Sequence, residues 1–131
     1  MTASPKGDIY LIDRFDLKKI DKNGHAETLA SNLSERKFSQ LTVNSPHLLM
    51  GVWTDKNENA YVAVYGGRMV KKISPDKKVS IVAETSIGWS PTGGLVAPNG
   101  DFWLLECSVT NAVRVERITT DGKRIIYSNT E

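Results

Sequence analysis

Cysteine is almost missing from this 131-residue chain, which has one, Cys107. A lone thiol excludes an internal disulfide and any metal site built from clustered cysteines. No apolar run approaches the roughly 20 residues that a membrane-spanning helix needs. The opening stretch MTASPKGDIYLID lacks the charged, then apolar, then small-residue order of a secretory leader. Together these absences set the expectation of a cytoplasmic protein with no membrane partner. Neither charge sign is in excess: 17 Lys and Arg against 15 Asp and Glu leave a net +2, too little to point to nucleic acid by itself. Sustained apolar spacing of 3.6 residues is also absent, so helices are not expected. With 40% apolar and 24% charged residues, the composition is that of a folded globular chain of one domain.

What the chain has instead is a repeat. MGVWTDKNENAYVAV, over residues 50–64, has the same shape as GGLVAPNGDFWLLE, over 93–106: two short apolar runs hinged on turn residues. Setting Gly51 against Gly94 aligns Asn59-Ala60-Tyr61 with Asp101-Phe102-Trp103, with one residue fewer in the second turn. Further on, Lys72-Ile73 matches Arg117-Ile118, and Asp76 matches Asp121. A third copy opens the chain, where Asp8-Ile9-Tyr10, Lys19-Ile20 and Asn23-Gly24 take the same places but the initial run is lacking. The copies cover about residues 7–33, 47–85 and 90–128, and 34–46 reads as a loop between them.

Within each copy the local grammar is β. IYLI, AYVAV and DFWLL are rich in β-branched and aromatic residues and bounded by Gly, Asn, Asp or Pro. Each full copy therefore reads as a four-stranded antiparallel meander. Tyr61, Val62, Val64, Trp103 and Leu104 cannot all point one way, so the sheets are apolar on both faces and must be stacked. A period of 40 to 50 residues and two-faced sheets predict an all-β propeller arrangement. A sandwich is the rival, but sandwiches do not repeat their turns at a fixed period.

MGVWTDKNENAYVAVYGGRMVKKISPDKKVSIV and PTGGLVAPNGDFWLLECSVTNAVRVERITTDGK resemble NHL-type repeats and the wider six-bladed propeller group that includes gluconolactonase-like and strictosidine-synthase-like proteins. The resemblance implies six blades, whereas this chain carries about three, the first incomplete. A half-propeller that closes as a homodimer is the resulting expectation. Gluconolactonase-like members hold a divalent metal with acidic residues on inner strands. The matching positions here are Thr92 in SPTGG and Leu49, so that site does not carry over, and no cofactor is expected. A non-catalytic binding module is the expected function, its ligand a small molecule or glycan at the channel or rim. A gluconolactonase-like hydrolase with a channel site shared between subunits is the alternative. His47, Trp89, Ser90 and Thr92 are the candidate ligand-binding residues, lying at or before inner runs; His25 reads as solvated. Asp13 and Glu106 close second strands, where the resemblance implies that they tie down loops through backbone N–H groups. Cys107 reads as a partly buried, unreactive thiol. Lys19, Lys72 and Arg117 recur at one place and read as a solvated flank, because no base-stacking aromatics are interleaved with them.

Overall fold

In the computed structural model, residues 1–34 and 49–128 are described. They form three four-stranded antiparallel meanders. Sheet 1 holds β1 (Thr2–Ala3), β2 (Ile9–Asp13), β3 (Asp16–Ile20) and β4 (Ala26–Ala30). Sheet 2 holds β5 (Leu49–Thr54), β6 (Ala60–Val64), β7 (Met69–Ile73) and β8 (Val79–Glu84). Sheet 3 holds β9 (Trp89–Val96), β10 (Phe102–Ser108), β11 (Val113–Ile118) and β12 (Arg124–Ser128). No helix occurs among the described residues, and none is long and apolar enough to cross a membrane, which leaves strand-built barrels unaddressed. This is the expected all-β blade architecture. The loop expected over 34–46 lies outside the described residues except for Ser34. In sheet 1, the inner run that the sequence lacks is supplied by a stub: Thr2 pairs with Tyr10 and Ala3 with Ile9.

The turns make the repeat exact in register. In the first turn of each sheet, Ser4, Asp55 and Ala97 donate their N–H to Asp8, Asn59 and Asp101 respectively, and accept from Gly7, Glu58 and Gly100. Those last three all have positive φ. Asp55 therefore matches Ala97, and Gly51 matches Gly93 rather than Gly94, with no residue missing from the turn. The sequence alignment slipped because Glu58, in a left-handed conformation at φ 63°, stands where the other blades have glycine. The outer turns behave alike: Gly24, Lys77 and Gly122 donate to Asp21, Ser74 and Thr119.

The sheets stack in chain order, with β1 and β2 against β5, and β5 and β6 against β9. Sheet 2 is covered on both faces. One core packs Tyr10, Leu17 and Ala30 of sheet 1 on Val52, Val62, Val64, Met69 and Ile73. The other packs Trp53, Ala63, Val70 and Ala83 on Leu104, with Tyr61, Phe102 and Ile118 at its margin. The strict alternation along β6, with Val62 facing one way and Ala63 the other, is the period-2 signature of a strand buried on both sides. Full burial of a side chain such as Val62 or Leu104 stabilises by roughly 1.5–3 kcal/mol. Trp53, Tyr61 and Phe102 add an aromatic trio across the second interface, with centroids 5.1 to 6.0 Å apart. The inner strands approach at backbone level: a Cβ on Gly51 would lie 2.5 Å from the Thr92 carbonyl oxygen.

Candidate functional site

At the end of the blades where the inner strands begin, Trp89 opens β9. Its N–H donates to the Ser86 carbonyl at 3.0 Å, and its own carbonyl accepts from Thr85 Oγ1 at 2.6 Å. The Arg114 guanidinium lies over the Trp89 ring, 4.2 Å from its centroid, so one face of the indole is already occupied. Ser90 is buried, and Thr92 donates its hydroxyl to the Leu105 carbonyl at 3.2 Å. None of these three lines the cavities below, and His47 lies outside the described residues. The structure thus places Trp89, Ser90 and Thr92 on one strand without gathering them around a shared space.

Behind Trp89 lies a buried charge cluster that sequence reasoning missed. Glu106 on β10 is 0% exposed and Glu116 on β11 is 2% exposed. They are diagonal neighbours on the face of sheet 3 that meets sheet 2, since Glu106 pairs with Arg114 and Leu104 with Glu116. Arg114 donates from both Nε and Nη2 to Glu106 Oε1, each at 2.9 Å, and Arg114 Nη2 also reaches Ser86 Oγ at 3.2 Å. Arg124 donates from Nε to Glu116 Oε1 and from Nη2 to the Glu84 carbonyl at 2.8 Å. The second oxygen of each carboxylate has no donor. Burial, and then the neighbouring Glu116, push the Glu106 carboxyl up to about 7 against the pull of Arg114. For Glu116 burial acts upward, but hydrogen bonding with Glu106 and Arg124 and the charges of Arg124 and Arg114 outweigh it and hold the carboxyl below its ordinary value. The expected loop-tying role of the strand-closing acids is corrected here. Glu106 serves Arg114, and Asp13 accepts from Lys18 Nζ at 2.6 Å.

Two of the three recurring basic residues are paired. Lys19 pairs with Asp8 at 3.2 Å, and Arg117 holds Asp101 at 2.6 Å, in equivalent places of sheets 1 and 3. The repeated cation is therefore a cross-strand partner for the acid that closes the first turn, which replaces the expected solvated flank in those two blades.

At the opposite end, a cavity of about 540 Å³ lies between the first turns of sheets 2 and 3, lined by Asp55, Lys56, Asn57, Tyr61, Val96 and Pro98. A smaller one, about 320 Å³, occupies the same notch between sheets 1 and 2, with Lys6, Asp8, Tyr10, Lys56 and Glu58 in its wall. Asp55 is fully employed in holding its turn: it accepts from Asn57 N, Asn59 N, Asn59 Nδ2 and Tyr61 OH at 2.7 to 3.1 Å. Burial acts upward on its carboxyl, but these donors prevail and lower it. Among the described residues no group of three or more His, Cys, Asp or Glu side chains converges on a metal-sized space.

The outward flank of sheet 3 is the third surface. By the turn register, Leu95, Leu105, Val115 and Tyr127 occupy the places that Trp53, Ala63, Val70 and Ala83 occupy in sheet 2. The sheet 2 residues are all buried under sheet 3. On sheet 3 the same places remain apolar, yet Leu95 is 54%, Leu105 43% and Tyr127 46% exposed. A hollow of about 390 Å³ lined by Gly93, Leu95, Trp103, Leu105 and Val115 opens there. A Cβ on Gly93, the counterpart of Gly51, would meet nothing within 4 Å.

Searches against family models and curated proteins return no match. Solved structures do match. A gluconolactonase from Xanthomonas campestris superposes with a TM-score of 0.70 at 13% identity, covering 96% of this chain and 44% of that one. A streptogramin B lyase gives 0.59 at 14% identity, covering 97% and 53%. A virginiamycin B lyase from Staphylococcus aureus, in complex with quinupristin, gives 0.58 at 14%, covering 99% and 55%. The chain spans about half the length of each. At such identities the likeness speaks for architecture alone: three antiparallel sheets arranged as blades of a β-propeller.

Proposed function

We propose that this chain is half of an NHL-like propeller, a binding module whose ring is completed by a second copy. The observation that supports the reading is the outward flank of sheet 3. Four positions that sheet 2 buries under its neighbour recur there as apolar side chains facing solvent. The opposite flank of the stack is compatible. Ile9, Leu11 and Ile20 of sheet 1 hold the places from which Phe102, Leu104 and Ile118 of sheet 3 meet sheet 2. Sheet 3 of each copy would pack on sheet 1 of the other, and a two-fold axis makes the two contacts identical and closes the ring at six blades. Joining the two flanks also removes apolar surface that a lone protein seldom exposes.

In this reading the channel and the rim where the inner strands begin form the surface for a small molecule or glycan, with Trp89 and Ser90 on that side. Light scattering coupled to size exclusion tests the assembly. The expected mass is twice that of the chain, falling to a single chain in Leu105→Asp with its circular dichroism retained. A wild-type monomer at micromolar concentration would overturn the ring. One second reading is a lactone hydrolase with its site shared by both halves, the activity named for the gluconolactonase whose architecture this chain shares. Turnover of a sugar lactone with added calcium or zinc, assayed on the assembled protein, distinguishes it from a binding module.

A further inference from the structure

The interface between sheets 2 and 3 carries two buried acids where the equivalent places of sheet 2 hold none and those of sheet 1 hold one that is exposed. The places of Glu106 and Glu116 are held by Val64 and Lys71 in sheet 2 and by Asp13 and Lys18 in sheet 1. Those pairs are apolar with basic and acidic with basic. Only sheet 3 sets like charges beside each other, on the face that is covered. Each carboxylate has one oxygen committed to an arginine, and the other is enclosed without a donor. Two ionised carboxylates leave both enclosed oxygens unsatisfied and repelling. A single proton between them makes one carboxyl a donor and satisfies both at once.

The elements packed against the pair do not offer another solution. On sheet 3 itself the charged neighbours are Arg114 and Arg124, both aimed at the outer oxygens. The strands and turns of sheet 2 that face sheet 3 carry Tyr61 on β6, Tyr65 and Arg68 in the β6–β7 turn, Lys72 on β7 and Glu84 at the end of β8. Arg68 is buried and donates from Nη1 to the Thr85 carbonyl at 2.7 Å, and Glu84 contributes its carbonyl to Arg124. None of them donates to the enclosed oxygens.

We propose that Glu106 and Glu116 share one proton across the contact between the second and third blades, and that its release to water loosens that contact as pH rises through neutrality. The pair is thus a pH-sensitive latch inside a single chain, independent of ring closure. The direction follows from linkage. Glu106 is raised in the folded state to about 7, so the folded chain binds more protons than the unfolded one between the ordinary glutamate range and that value. Its stabilising effect is present below the ordinary range and is lost as pH climbs through about 7. Glu116 is shifted down, so its own contribution is lost only in acid and does not enter this window.

Thermal melts of the wild type and Glu106→Gln, from about pH 5 to about pH 8, provide the test. Glutamine keeps a donor toward Glu116 at every pH. The wild-type melting temperature is expected to fall by several degrees across the window while that of the variant stays level. The difference between the two proteins is the informative quantity, because it cancels every group that the substitution leaves in place. A level wild-type profile, or an equal slope in both proteins, overturns the proposal. Carbon-detected NMR of glutamate carboxyls in the wild type covers the case in which the variant does not fold. One carboxyl titrating near neutrality is expected, and its absence refutes the shared proton.

Discussion

Gly51 and Gly93 hold one repeat position in adjacent blades, and giving each a methyl group separates two questions. At Gly51 the new Cβ would lie 2.5 Å from the Thr92 carbonyl oxygen and 3.2 Å from Gly93 Cα. Both obstacles are backbone, so no rotamer change relieves them; β5 and β9 must move apart. Overpacking of this kind costs about 1–3 kcal/mol. For a chain of this size that is a fall of roughly 4 to 12 °C in melting temperature. At Gly93 the same methyl group meets nothing within 4 Å in the single chain, and the φ is not positive. Gly93→Ala should therefore match or exceed wild-type stability by up to about 1 kcal/mol, through lower unfolded-state entropy. In the proposed dimer sheet 3 meets sheet 1 of the second copy, whose inner strand is the stub Thr2–Ala3. No strand backbone then stands where Thr92 stands against Gly51, and the Gly93 methyl group should leave dimerisation unchanged. Urea melts at fixed protein concentration report the first effect, and light scattering across a dilution series the second. A Gly51→Ala protein as stable as wild type would refute the close approach of the inner strands. A Gly93→Ala protein with weakened self-association would refute the proposed mode of closure.

Three further outcomes are expected. Leu104→Ala empties the centre of the second core and should cost about 2–5 kcal/mol in chemical denaturation, whereas Leu105→Ala, on the exposed flank, should cost far less in the monomer. Lys77 holds a left-handed backbone at φ 69°, so Lys77→Gly should raise stability by about 0.5–1 kcal/mol; no gain would show that the turn is not strained. Tyr61→Phe removes a donor to Asp55 and should cost about 1 kcal/mol. Because the Asp55 carboxyl is held below its ordinary value, that loss should be largest above the ordinary carboxylate range and vanish as pH falls through the lowered value. A pH-independent difference between the two proteins would exclude the hydrogen bond as its cause.

Blades and their order were legible because turn chemistry and alternation are local. Asn23-Gly24, Asn99-Gly100 and Asp121-Gly122 announce reversals, and AYVAV announces a strand covered on both sides. The one-residue slip between the second and third copies shows the limit. Glycine marks a left-handed turn position well, but Glu58 holds the same conformation under the constraint of its hydrogen bonds, among them Ser4 Oγ to Glu58 Oε1 at 2.6 Å. Trp89 stands out in its stretch as the one large aromatic, yet its partner Arg114 lies 25 positions away and is found only through strand register. The buried acids were the least visible feature. LECSVTNAVRVER reads as alternating charge on a wet strand, because nothing in the letters tells which flank a neighbouring blade covers. Only the stacking shows that Glu106 and Glu116 face inward while Leu105 and Val115 face outward.

The shared turn length and hydrogen-bond pattern make the blades interchangeable parts. A five-residue hairpin loop taken from one can be spliced into another without shifting a single strand pair, so chimaeras that swap the segments 55–59 and 97–101 should fold. The same modularity lets a gene of this kind grow or shrink by whole blades through duplication and deletion, with each added unit arriving already fitted to its neighbours.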